Sequence, residues 1–183
     1  MKIRHEVMIT PERAVVDSMP IPVTTHGIDM LTELYRTRIN DYPRFFKMDE
    51  LCRLGFVASE LLLQAAGDRH ADSEDRAVVM FNSSGSVCND RKYQATLQQP
   101  DGFFPSPSLF VYTLPNIVTG EIAIRNGYHG ETAFYVLDKK SSALIDNALR
   151  ATFCDETTQS ILGGWLDCEA PDDFLAELYL IEK

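Results

Sequence analysis

An α/β layered domain with a mostly parallel sheet is what this sequence predicts, on three observations. Short apolar runs of strand type alternate with segments of helical spacing. Ala77 to Phe81 is apolar without alternation and carries two adjacent valines, as in a strand covered on both faces. No internal repeat or low-complexity tract interrupts the pattern. Hydrophobic residues make up 45 % of 183 positions, enough for a sizeable core in one domain spanning residues 1–183.

The elements follow in chain order. Lys2 to Ile9 alternates well enough for a first strand. Thr10 to Thr25 holds three prolines and is expected to be an irregular excursion. Ile28 to Ile39 has helical spacing through Leu31, Leu34 and Tyr35, and Asp41-Tyr42-Pro43 breaks it. Met48 to Ala66 is the clearest helix, with Leu51, Cys52, Gly55, Ala58, Leu62 and Ala65 at i, i+3 and i+4 intervals and Gly67-Asp68 ending it. A polar loop from His70 to Asp75 leads to the strand Ala77–Phe81. Asp90 to Leu97 reads as a small helix, and Gln98 to Pro107, with three prolines and a glycine, as a loop. A helix from Asn116 to Asn126, a strand from Thr132 to Leu137 and a helix from Ser141 to Thr152 come next. Gln159 to Cys168 reads as a strand interrupted by Gly163-Gly164. Phe174 to Ile181 fits a strand or a short helix.

Composition excludes several classes of function. The formal net charge of −10 is the wrong sign for a nucleic-acid binder, which needs a cationic surface to displace counterions. It equally disfavours anionic lipid. Lys2 and Arg4 stand where a signal peptide would be basic, but the apolar stretch Val7 to Ile9 is too short for one and stops at Thr10-Pro11. No stretch is long enough to span a membrane. Cys52, Cys88, Cys154 and Cys168 form no CxxC pair, and no histidine stands at zinc-ligand spacing from them. They read as scattered thiols of a cytoplasmic protein, with no metal and no cofactor implied.

Three segments could carry chemistry. Asn82-Ser83-Ser84-Gly85-Ser86 is a small polar loop at the carboxyl end of a strand, where α/β proteins bind ligands and where backbone N–H groups can hold phosphate. It is no Walker motif, and a tight strand-to-helix turn explains it as well. Leu114-Pro115-Asn116 places Asn116 at a helix start, where it can cap, and Gly120 in that helix points to close packing. Thr132 to Thr152 reads strand, tight turn, helix, which is the geometry of a nucleophile elbow. The turn is Asp138-Lys139-Lys140, with no cysteine or serine in it. Asp138 is placed to cap the helix and to offset two lysines at its positive end. Lys139 has two readings: an amine nucleophile or base, which would need burial, or a solvated turn residue. His5, His26, His70 and His129 are too scattered to assemble a Ser-His-Asp or Cys-His set.

Four stretches, in order, resemble the N-terminal half of the β-ketoacyl synthases. Lys47 to Gly55 resembles the family's KMD…R helix start, and Val78 to Ser86 its strand and Ser/Thr-Gly loop. Leu114-Pro115-Asn116, Gly120, Ile122 to Ile124 and Gly127 to Gly130 resemble its PN…G.IAI..G..G segment, the most specific of the four. Ile161 to Glu169 is similar to its later strand. The likeness covers residues 45 to 170.

The resemblance implies a three-layer αβα thiolase-like half-domain on a mixed, mostly parallel five-stranded sheet. It also implies that Lys139 stands where the family keeps its nucleophilic cysteine, and that the family's second half, which supplies the catalytic histidines, lies beyond these 183 residues. No catalytic residue carries over. The expectation is a non-catalytic accessory or chain-length-factor-like protein in fatty-acid, polyketide or aryl-polyene-type biosynthesis. In the other readings it is an acyl-thioester decarboxylase or hydrolase with a pocket near Ser84, Gly85, Asn116, Asp138 and Lys139, or a module that binds acyl groups or acyl carrier protein. The resemblance further implies a homodimer, or a heterodimer with a full-length synthase, through the strand Thr132–Leu137. A lone half should also expose an apolar helix face, on Met48–Ala66 or Ser141–Thr152.

Overall fold

A computed structural model describes residues 1–67, 75–98 and 106–183. One sheet of seven strands runs through it. In chain order the strands are β1 (Lys2–Thr10), β2 (Arg13–Val16), β3 (Met19–Ile21), β4 (Arg76–Asn82), β5 (Thr132–Val136), β6 (Ser160–Ala170) and β7 (Asp173–Glu182). Their order across the sheet is β3-β2-β1-β7-β6-β4-β5. The helices are α1 (Gly27–Leu34), α2 (Glu50–Ala66), α3 (Val87–Leu97), α4 (Pro107–Val111), α5 (Ile117–Asn126) and α6 (Ser142–Thr152).

The α/β class holds, and the layers are αβα. Alternation along β4 sorts its side chains: Val78 and Met80 enter the core shared with α1, α2 and α5, whereas Ala77, Val79 and Phe81 meet Leu149 and Ile145 of α6. All seven residues of β4 are buried, as its unbroken apolar run requires.

Two finer expectations are corrected. The sheet has seven strands rather than five, and it is mostly antiparallel. Among the described strands only β4–β5 and β4–β6 run parallel; β1–β2, β2–β3, β1–β7 and β6–β7 are antiparallel. The two extra strands come from Thr10 to Thr25. That segment is a hairpin, turned by Asp17 and Ser18 at φ 48° and 64°. Pro11 lies in a turn and Pro20 on the edge strand β3, positions that need no ladder N–H. β7 is a strand throughout, and Gly163-Gly164 does not interrupt β6. A Cβ on Gly163 would lie 2.0 Å from the Val79 carbonyl oxygen, so the glycine lets β4 and β6 pair.

Helix α2 is held at both ends. Asp49 accepts from the Cys52 amide at 2.9 Å, and Gly67 closes the helix at φ 81°. Between them the helix is enclosed by the sheet, α1 and α5, so it exposes no apolar face, contrary to one of the two expected positions. Gly55 permits this: a Cβ there would stand 2.4 Å from Val118 and 2.8 Å from Leu166. Glu60 of α2 is fully buried and meets the Arg125 guanidinium of α5, which also reaches Asp41 at 2.5 Å. The helix Ile28–Ile39 ends in a π-helical turn over Tyr35–Ile39. The expected loops at His70–Asp75 and Gln98–Pro107 lie mostly outside the described residues; Pro107 itself opens α4. Gly120, expected to mark close packing, has no neighbouring element within 4 Å of where a Cβ would stand.

The glycines therefore separate cleanly in a stability measurement. Gly163→Ala should cost at least about 2 kcal/mol by forcing β4 from β6. Gly120→Ala should stabilise by about 0.5–1 kcal/mol through helix propensity. Urea denaturation reads both. A second expectation concerns acid. The Thr25 hydroxyl, then the Thr24 amide, hold the Glu33 carboxyl down to about 2 from an ordinary 4.5. Because the native group titrates below the unfolded one, its contribution is complete above about pH 4.5 and is lost as pH falls toward 2. An NMR titration of Glu33 should give a midpoint near that lower value.

Candidate functional site

Strands β4, β5 and β6 run the same way, so their carboxyl ends open on one edge of the sheet. Three segments meet there: the loop after β4, the turn after β5 and the last residues of β6.

The loop is braced from within and from β6. Asn82 is fully buried; its side-chain amide donates to the Gly85 carbonyl at 2.7 Å and its oxygen accepts from the Gly85 amide at 3.1 Å. Gly85 sits at φ 60°, which the closed loop demands. Asp167 of β6 holds the next two residues. Its carboxylate accepts from the Ser83 hydroxyl at 2.6 Å, from the Ser83 and Ser84 amides at 3.2 Å each, and from the Ser84 hydroxyl. The backbone N–H groups that could cradle a phosphate are thus already engaged by a carboxylate. Ser86 donates to the Thr113 carbonyl at 2.6 Å, which ties the loop to the segment between α4 and α5.

The turn after β5 keeps the elbow shape: strand Thr132–Val136, then Asp138-Lys139-Lys140, then α6. The Leu137 amide still donates to the Asn82 carbonyl at 2.8 Å, so the turn starts beside the loop. Its cap differs from expectation. Ser141, not Asp138, accepts the Leu144 amide at the start of α6. Ser141 is the residue adjoining the helix, while Asp138 lies three positions before it. Lys140 reaches back across the sheet to Glu177 and lies 5.9 Å from the Trp165 ring centroid. Lys139 is exposed and makes no ion pair among the described residues, so the solvated-turn reading describes its surroundings.

Ser83, Asp138, Lys139, Lys140 and Asp167 line one open depression of about 390 Å³. Glu169 and Asp173 are also on its wall, so carboxylates outnumber lysines. An anionic thioester carrier would meet net repulsion there. Of the other residues expected in a pocket, Ser84 and Gly85 stand in the adjoining loop. Asn116 does not line the depression. It is exposed at the start of α5 and makes no side-chain cap; its carbonyl accepts from the Thr119 hydroxyl at 2.8 Å. Asp167 and Trp165 are the site residues that sequence reasoning missed. Nothing local marks them, because their roles arise from strand pairing.

The sheet-facing side of α6 carries a second feature. A groove of about 590 Å³ lies between α6 and the outer face of β1, β6 and β7, with Trp165, Tyr179, Ile181, Ile145 and Leu149 on its walls. Leu144, which does not line the groove, is 54 % exposed. Ile145 and Leu149 of α6 pack against the sheet, so Leu144 is the one large apolar side chain that the helix leaves exposed, less than the apolar face expected on Ser141–Thr152. Among the described residues no cluster of metal-ligating side chains occurs, and no helix is long and apolar enough to cross a membrane.

No protein-family model matches the sequence, and no curated protein matches it. Solved structures do. The ishigamide ketosynthase/chain length factor superposes with a TM-score of 0.70 at 17 % identity, over 99 % of this chain and 61 % of that one. A structure of the ketosynthase ApeO in complex with its chain length factor ApeC, from Xenorhabdus doucetiae, superposes with a TM-score of 0.64 at 14 % identity, over 100 % of this chain and 78 % of that one. The fold is the thiolase-like one of these proteins, and this chain spans about three fifths of the length of the first.

Asp167 should be the residue on which the loop's order depends. Asp167→Ala is expected to cost about 1–2 kcal/mol, since several charge-assisted bonds are lost at a partly exposed site. Amide exchange should quicken at Ser83 and Ser84 and stay unchanged in α2.

Proposed function

We propose that this protein is a non-catalytic, chain-length-factor-like subunit that pairs with a full-length ketosynthase in polyketide or aryl-polyene-type assembly. The observation that carries the reading is the elbow. A strand–turn–helix of the nucleophile-bearing kind is retained in a fold like that of ketosynthase/chain-length-factor proteins, and an exposed lysine, Lys139, occupies its turn. A lysine amine becomes a nucleophile toward a thioester when burial strips its charge, and this position offers no burial. The nearby hydroxyls of Ser83 and Ser84 are committed to Asp167, and no described histidine lines the depression.

The pairing surface in this reading is β5. It is the last strand of the sheet, so its outer N–H and C=O groups face away from β4. Tyr135 and Val136 are 40 % and 54 % exposed. Addition of a synthase strand at this edge would extend the sheet and cover both side chains. A homodimer through the same strand is the competing assembly, and acyl carrier protein would then approach the complex rather than this chain alone. Thioester hydrolysis or decarboxylation is the weaker reading, because the hydroxyl nearest the depression, that of Ser83, is held by Asp167.

Two measurements test the proposal. Incubation with acyl carrier protein thioesters or acyl-CoA should leave the intact mass unchanged; an acyl adduct on any cysteine overturns the non-catalytic reading. Co-expression with the ketosynthase of the same gene cluster should give a heterodimer by light scattering. Val136→Asp should abolish it while leaving the melting of the isolated chain within about 2 °C, as for an exposed substitution. A heterodimer indifferent to that change, or only homodimer in the presence of the synthase, would remove β5 as the pairing strand.

A further inference from the structure

The two faces of the sheet are covered unequally. Helices α1, α2 and α5 lie over one face, and among the described residues α6 is the one helix over the other. It packs above β4, so β7 and β1 extend beyond its cover. The groove of about 590 Å³ is the space this leaves. Trp165, Tyr179 and Ile181 form its floor, Ile145 and Leu149 of α6 form one wall, and Ile3 of β1 stands on the side away from the helix. Trp165, Leu149 and Ile181 are 5 %, 6 % and 4 % exposed, whereas Ile3, at the rim, is 56 % exposed.

Strand register fixes the two ends. Trp165 pairs with Glu177, and Ile181 pairs with Ile161 on one side and Ile3 on the other. Lys140, Trp165 and Glu177 thus mark one end, and Ile181 with Ile3 the other. Helix α6 flanks the groove from Ser142 to Arg150, a rise of about 12 Å. The groove adjoins the depression at the strand ends and shares Lys140 and Trp165 with it, but its walls are apolar.

The charges on the groove are matched among themselves. Lys140 pairs with Glu177, and Arg150 donates to Asp146 at 2.7 Å. A carboxylate or ammonium group entering here would lose hydration and find no free counter-ion. An uncharged apolar molecule meets no such cost, and it removes Ile3, Tyr179 and the edge of Trp165 from water. The volume suits it as well, since small-molecule sites span about 300–1,000 Å³.

We propose that this groove binds an uncharged small molecule whose alkyl chain lies along α6, between Ile145 and Leu149 on one side and Tyr179 and Ile181 on the other. The Lys140–Glu177 end offers both a donor and an acceptor, so it takes a single uncharged polar group such as a hydroxyl. Binding here is independent of subunit pairing through β5.

Trp165 is the only tryptophan of the chain, so its emission reports on this groove. Titration of the full chain with 1-decanol should change that emission saturably, and decanoate at neutral pH should bind at least about tenfold more weakly. The same titration followed by NMR should move the methyl signals of Ile145, Leu149 and Ile181 and leave those of Leu62, in the core on the other face, in place. Ile3→Asp should weaken decanol binding about tenfold, and Leu144→Asp, exposed but off the groove, should not. The proposal is overturned if the emission change does not saturate, if decanoate binds as tightly as decanol, or if Leu144→Asp weakens binding as much as Ile3→Asp. A dimer by light scattering that Ile3→Asp dissolves, with no decanol bound, would make a second copy the occupant and overturn it equally. The NMR map of the unsubstituted chain decides the matter even where Ile3→Asp fails to fold.

Discussion

Strand β4 is buried along its whole length and pairs in parallel with a neighbour on each side. Both constraints come from one short sequence, Arg76 to Asn82, and the rest of the arrangement follows from satisfying them. Parallel neighbours need crossovers, so α3, α4 and α5 must pass between β4 and β5, and α6 between β5 and β6. Two buried faces need two helical layers. Three strands pointing the same way bring their carboxyl ends to one edge, which is where the Ser83–Ser84 loop, the Lys139 turn and Asp167 are found.

The polar groups around that edge are mostly turned toward one another. Asn82 closes the loop from inside, Asp167 holds it from β6, and Lys140 is drawn to Glu177. A site built for turnover leaves donors aimed at a position that substrate will occupy. Here the donors of Ser83 and Ser84 already have the Asp167 carboxylate as acceptor, Lys139 alone of the two lysines makes no ion pair among the described residues, and the wall of the depression carries more carboxylates than lysines. The arrangement holds the Ser83–Ser84 loop in one shape. Deeper in the chain, Glu60 of α2 pairs with Arg125 of α5, and removing one partner alone would leave the other buried without its counter-charge.

Much of this is legible in the sequence, and the reasons for the remainder are physical. Met48 to Ala66 and Ala77 to Phe81 declare themselves because their periodicity is long or their apolar run unbroken. The elbow is visible as strand, polar turn and helix within one short stretch. The hairpin at Thr10 to Thr25 is hidden by its prolines, which mark breaks everywhere except on an edge such as the one Pro20 occupies. Gly163-Gly164 resembles an interruption because the need for it lies on β4, in the carbonyl of Val79. The bracing role of Asp167 depends on β6 lying beside β4, and no local signal reports that pairing.

The two ends of the sheet are unlike. At one end β3 is three residues long and contains Pro20, which has no N–H to offer a neighbour. At the other, β5 has no proline along its five residues and leaves Tyr135 and Val136 uncovered. Strands that can be added at either end of a sheet propagate into fibrils, because each copy presents the surface that the next one needs. With one end closed by composition, growth by strand addition stops once the open end is occupied. Pro20 withholds an N–H from any strand that would lie beyond β3, whereas β5 withholds none, so under the proposed pairing the sheet has a valence of one.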